Sequence, residues 1–260
     1  MLFPDSDRII YEKNPLAEVI CQLRFPRILR INAEPPAVFQ ERIRAAYPLF
    51  SQTSADDSSQ ILPELTRLVG LDLKFGTGQT YDFSSADSAW KTTLTSQSLA
   101  LTAMHYRRWE DFKAHLEEPL TALVAVYSPA FFNRIGLRYR NVIRRSWLGL
   151  SDVSWRELLA SHVLGEMAYP GIENASLHAA RDLLLRLDDQ GHCVRVQHGI
   201  VKAEGDGERC YLIDCDFFIE TQTELGHAIS TLDRLNRESG RLFQWCITSR
   251  LHDAMEPRSA

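Results

Sequence analysis

The chain has 260 residues, enough for one large domain or two small ones. Hydrophobic residues make up 45% and charged ones 24%, the balance of a soluble globular protein, and the net charge of −5 argues against wholesale binding of a polyanion while leaving room for a local basic patch. No apolar run approaches the roughly 20 residues of a membrane span, and the opening MLFPDSDRII lacks the basic start and apolar core of a signal peptide; the expectation is a cytoplasmic protein with no membrane partner.

Residues 17–25 read as a strand. Val19, Cys21, Leu23 and Phe25 lie on one face and Glu18, Gln22 and Arg24 on the other. Glu34-Pro35-Pro36 opens a helix with Val38, Phe39, Ile43 and Tyr47 as its apolar stripe, and Pro48 closes it. Residues 51–60, SQTSADDSSQ, read as an exposed, mobile loop. A strand at 71–75 and an antiparallel meander of 80–83, 89–95 and 99–104 follow. A helix starting near Tyr106 carries Trp109, Phe112, Leu116, Leu120 and Leu123 and ends before Ser128-Pro129.

The order then repeats. Residues 132–143 read as a strand and 155–164 as a helix capped by Ser151 or Ser154. Strands at 179–187, 193–201 and 209–220 are joined by the turns Asp188-Asp189-Gln190-Gly191 and Glu204-Gly205-Asp206-Gly207. A last helix covers about 224–238, Gly240 interrupts it, and 243–255 continues; the tail EPRSA is expected to fray. The expected fold is α+β in two similar halves, 1–129 and 130–260. Each runs strand, helix, antiparallel meander, helix, in the manner of ferredoxin-like or strand-helix-strand-strand modules, packed as one unit.

Four stretches, NPLAEVICQLRF (14–25), FFNRIGLRYRN (131–141), YLIDCDFF (211–218) and FQWCIT (243–248), resemble signatures of a sporadically distributed bacterial family of uncharacterised proteins of about this length. The likeness runs nearly end to end. That family has no established activity, so the resemblance brings no catalytic residues; its patchy distribution implies a defence or mobile-element setting.

The strand in FFNRIGLRYRNVIRR alternates: Ile135, Leu137, Tyr139 and Ile143 face one way, Arg134, Arg138, Arg140 and Arg144 the other, with Gly136 among them. Four guanidinium groups on one face repel unless something negative is near. With Arg24 they form the candidate binding surface. Their counter-charges are either internal, from Glu18, Asp214 and Asp216, or those of a phosphate or carboxylate ligand held bidentately. Gly136 would let a ligand approach. Aromatic interleaving is weak: Tyr139 falls on the apolar face, and Trp109 in Tyr106-Arg107-Arg108-Trp109 falls on a helix's apolar stripe.

The histidines show no metal-ligand spacing, and His192, Cys193 and His198 would need further ligands for zinc, so no metal and no cofactor is expected. Cys21, Cys193, Cys210, Cys215 and Cys246 are odd in number, scattered and without a C-x-x-C pair, which fits reduced core thiols. No nucleophile elbow or phosphate-binding loop is present, and no catalytic residue is assigned. The apolar C-terminal helices either seal a sheet or bury a homodimer surface. The reading is a non-enzymatic binding or accessory component acting through a protein partner. The alternatives are an RNA-binding or RNA-processing protein that uses the arginine face, and a sensor of a small anionic ligand in a cleft between the halves.

Overall fold

The computed structural model describes residues 2–54, 78–169, 171–176, 178–203 and 205–259. In chain order the elements are β1 (Ile9–Tyr11), β2 (Leu16–Arg24), α1 (Arg30–Ala33), α2 (Ala37–Ile43), β3 (Leu49–Ser54), β4 (Gln79–Ser84), β5 (Trp90–Thr95), β6 (Ser98–Ala103) and α3 (Trp109–Tyr127). Then come β7 (Arg134–Ile143), the short helices α4 (Trp155–Leu158), α5 (Ser161–Leu164) and α6 (Ile172–Ala175), and β8 (Ala179–Arg186), β9 (His192–Lys202) and β10 (Arg209–Ile219). The chain closes with α7 (Ala228–Cys246), α8 (Ser249–Ala254) and β11 (Pro257–Ser259). The protein is mixed α+β, and no helix among the described residues is long and apolar enough to cross a membrane.

The chain divides into two compact units interleaved in sequence, and neither coincides with 1–129 or 130–260. Unit 1 takes residues 1–17, 138–217 and 233–260; unit 2 takes 18–137 and 218–232.

In unit 2 the strands run β3-β4-β5-β6-β2, all antiparallel. The next strand position is held by the start of β7, where Asn133 N–H donates to the Arg24 carbonyl at 2.9 Å. Val19, Cys21 and Leu23 of β2 and Phe83 of β4 are buried, as are Phe39 and Ile43 of α2 and Phe112, Leu116 and Leu123 of α3. The rings of Phe39 and Phe83 meet at 5.5 Å. Val38, expected in that apolar stripe, is exposed. The opposite face of the sheet carries small polar side chains in cross-strand register. Thr93 donates to Asp82, and Thr95 Oγ1 lies 2.8 Å from Ser98 Oγ, so these buried hydroxyls are satisfied.

In unit 1 the order is β7-β10-β9-β8, with β8 at the end. Ile213, Cys215 and Phe217 form the buried face of β10 against a core that includes Trp155, Leu235, Leu242 and Leu251. Tyr139 is buried there too, its hydroxyl donating to Asn236 at 2.8 Å. A separate ribbon pairs β1 with β11 antiparallel.

Several expectations are corrected. Residues 51–54 are strand: they pair with β4, and Gln52 Nε2 donates to Gln79 Oε1 at 2.9 Å. The rest of the loop expected to 60, and the strand expected at 71–75, lie outside the described residues. The helix expected at 155–164 is broken, because Leu159 turns extended to bridge Ile247 and Ala160 N–H bonds the Cys246 carbonyl at 2.9 Å. Ser154 makes no side-chain cap; the Glu173 carboxylate accepts from Trp155 N–H instead, at 3.0 and 3.1 Å. α7 runs unbroken through Gly240, and the break falls at Thr248, whose hydroxyl caps α8 by accepting from Leu251 N–H. Residues 257–259 of the tail are paired rather than frayed.

Candidate functional site

The arginine face is built by the alternation of β7, and its counter-charges come from the chain itself. In unit 1, Arg138 grips Asp214 of β10 with both arms of its guanidinium, Nε to Oδ1 at 2.7 Å and a terminal nitrogen to Oδ2 at 2.6 Å. Asp214 is 2% exposed and also lies 3.4 Å from Arg140 Nε. Arg144 donates to Glu208 at 2.7 Å and pairs with Asp206, which holds its pKa above the usual arginine value, the Glu208 bond first among the causes. Asp216 is half-buried, and its charge falls on Arg195 of β9.

In unit 2, Arg24 and Arg134 converge on one acceptor, Gln22 Oε1, at 3.0 and 3.3 Å. Arg134 is also 3.5 Å from Glu220 and lies over the Phe218 ring at 4.9 Å. The Arg134 side chain lies across Gly136, so a Cβ there would meet its guanidinium; the glycine makes room for an internal side chain. Glu18 is half-buried on β2. The five arginines therefore form two internally bonded clusters, one in each unit.

A second site lies in unit 1, where β8, β9 and β10 meet α5 and α6. It is a cavity of about 360 Å³, within the roughly 300–1,000 Å³ range of small-molecule sites. Val163, Leu164, Met167 and Ile172 give it aliphatic walls, and Arg181, His198 and Tyr211 give it polar groups. His198 is the one polar residue in the buried row Val194, Val196, His198, Ile200 of β9, and its Nδ1 lies 2.9 Å from the Tyr211 hydroxyl. Burial, and then the charge of Arg181, pulls the His198 pKa down to about 4. Burial raises that of Tyr211. At neutral pH the pair is therefore an uncharged imidazole and a protonated phenol, which bond a ligand rather than exchange protons with it.

Arg181, half-buried, pairs with Glu166 at the rim. Gly165, at φ +52°, leaves the space its guanidinium occupies. The Glu166 carboxyl sits below the usual range because its own backbone N–H and then Arg181 favour the charged form. Sequence reasoning missed this site. A histidine inside an otherwise apolar alternation was the available signal, but Arg181 and Glu166 are brought together only by the turn through α5 and α6.

The remaining candidates are buried or make internal contacts. Cys21, Cys210, Cys215 and Cys246 are buried, and burial raises every one of these thiol pKa values, that of Cys246 to about 12. Among the described residues no three His, Cys, Asp or Glu side chains gather as metal ligands. Trp109 is buried and stacks on Phe112 at 5.7 Å, and Arg108 bonds Asp111 at 2.9 Å. No protein-family model matches the chain, and no curated protein matches it. The likeness of the four sequence stretches to a sporadic bacterial family rests on those residues alone.

Proposed function

We propose that this chain is a non-enzymatic binding component whose working site is the cavity of unit 1, and that it takes a small organic carboxylate with an apolar tail. The observation that carries this is the composition of one cavity: a half-buried cation, a neutral imidazole–phenol pair and four aliphatic side chains. Arg181 offers a planar fork for a carboxylate, which would displace the exposed Glu166. His198 and Tyr211 supply hydrogen bonds, and the aliphatic walls favour an organic acid over a bare inorganic anion. This places anion sensing on Arg181 rather than on the arginine face of β7, whose guanidinium groups are engaged by Asp214, Glu208 and Gln22. The repeated order of strand, helices, meander and long helix supports a two-half plan of the strand-helix-strand-strand kind. A protein partner in a defence or mobile-element setting is the wider role we attach to the family likeness.

Titration of the full chain with hexanoate, followed by amide NMR, tests the site, with hexanol and inorganic phosphate as controls. Hexanoate should move the signals of His198, Gly199 and Arg181 at concentrations where neither control does, and Arg181→Gln should abolish the response. Equal responses to hexanol and hexanoate, or an unaltered response in Arg181→Gln, would sink the assignment.

A further inference from the structure

Among the described residues β8 ends the strand order of unit 1 and pairs on one side only, with β9. Leu187 N–H bonds the His192 carbonyl at 2.8 Å, which fixes the phase of that ladder. In an antiparallel pair the hydrogen-bonded residues alternate, so the odd residues of β8 bond β9. Ala180, Asp182, Leu184 and Arg186 aim their N–H and C=O groups off the open edge. Those four side chains share one sheet face and all are exposed, Leu184 at 68%, while Leu183 on the other face is 43% exposed. A long edge strand with open backbone groups and bare leucines is a template for another strand.

We infer that this edge pairs antiparallel with β8 of a second copy of the chain, about a two-fold axis at Leu184. The occupant follows from register and charge. Only even residues carry outward backbone groups, so a self-pair must set even against even. Centring on Asp182 would put two carboxylates opposite each other. Centring on Leu183 would set Asp182 against Leu184 and Arg186 against Ala180, leaving both charges without an opposite partner. Centring on Leu184 sets Leu184 against its symmetry mate and each Asp182 against the other copy's Arg186, on the same face and directly opposite. Cross-strand pairs of opposite charge stabilise a sheet and like charges weaken it. On the other face Leu183 meets the second copy's Leu185. Asp182 already accepts from Arg195 of β9, Nε to Oδ1 at 2.9 Å, and a carboxylate has lone pairs for a second donor. The contact is isologous, which closes a dimer rather than growing a fibre.

Sedimentation velocity on the full chain across a dilution series tests this, with Arg186→Glu and Asp182→Lys run singly and mixed. Asp182 is exposed and Arg195 half-buried, so losing that pair has little effect on folding, and circular dichroism checks it. The wild type should dissociate from dimer to monomer on dilution. Each single variant sets like charges opposite each other twice and should be monomeric at the highest concentration. Their mixture restores two opposite-charge pairs and should recover the dimer as a mixed species. Slowed amide exchange at Ala180, Asp182, Leu184 and Arg186 on concentration would support the register. A wild type that stays monomeric throughout, single variants that still dimerise, or a mixture that fails to recover the dimer would each overturn it.

Discussion

Replacing Arg138 with Met is the sharpest test of how the arginine face works. The side chain keeps an unbranched apolar stem, but the two bonds to Asp214, at 2.7 and 2.6 Å, are lost. Asp214 is then a carboxylate only 2% exposed, with Arg140 Nε at 3.4 Å as its remaining arginine partner on β7. Breaking a buried pair from one side typically destabilises by about 3–5 kcal/mol, because the orphaned charge has lost its water as well as its partner. Arg138→Met/Asp214→Asn removes the orphan charge too, and should cost only about 1–2 kcal/mol. The double variant should therefore be about 2–3 kcal/mol more stable than Arg138→Met alone, the non-additivity expected of contacting residues. Urea unfolding at pH 7, followed by circular dichroism, measures all four members of the cycle, provided the slope with denaturant is unchanged. A single variant within about 0.5 kcal/mol of wild type, or a double variant no better than the single, would refute the view that Asp214 depends on Arg138. The same reasoning expects Arg138→Glu/Arg140→Glu not to fold, since it crowds carboxylates around Asp214.

Three further outcomes are expected. His198 has its folded pKa pulled down to about 4 while the unfolded chain titrates near its ordinary value. Its share of stability is therefore intact above about pH 6.5 and declines as pH falls toward 4, by about 3 kcal/mol; His198→Asn should flatten that part of the urea-midpoint profile, and coincident profiles would contradict it. Glu173→Ala leaves the buried Trp155 N–H without its carboxylate and removes the partner 3.7 Å from Arg145, so a loss of about 2–3 kcal/mol is expected in thermal or urea unfolding. Glu166→Gln removes the exposed competitor for Arg181, and hexanoate should bind about 2–5-fold more tightly by NMR titration.

Much of the strand framework was legible because a period of two is unambiguous when one face is buried. Val19, Cys21 and Leu23 on β2, and Ile213, Cys215 and Phe217 on β10, announced their faces, which left the aspartates between the latter on the opposite face. The short helices were not legible. Nothing in Trp155 to Leu164 marks Leu159 as extended, because what extends it is Ile247, almost ninety residues away. Gly240 misled for a related reason: the helix around it is held by Leu235 and Leu242 on the core side, and tertiary burial outweighs one glycine's propensity. Residues 51–54 lack the apolar alternation of a strand because β3 stands at the end of its sheet, where polar side chains are tolerated. The arginines were visible as a row, but whether their partners were external could not be read, since Asp214 and Glu208 lie about seventy residues further on.

The interleaving of the two units sets an order for folding during synthesis. Unit 2 is complete in sequence once residue 232 has been made, whereas unit 1 needs residues 233–260 and cannot close before them. A ribosome adds about 5–20 residues per second, so the last stretch follows within seconds of the end of unit 2. Over that interval β8, β9 and β10 have been made, but the buried Leu235, Leu242 and Leu251 of the same unit have not. A released fragment ending at residue 232 should thus carry a protease-resistant unit 2 beside a unit 1 that lacks α7 beyond its first turn and all of α8.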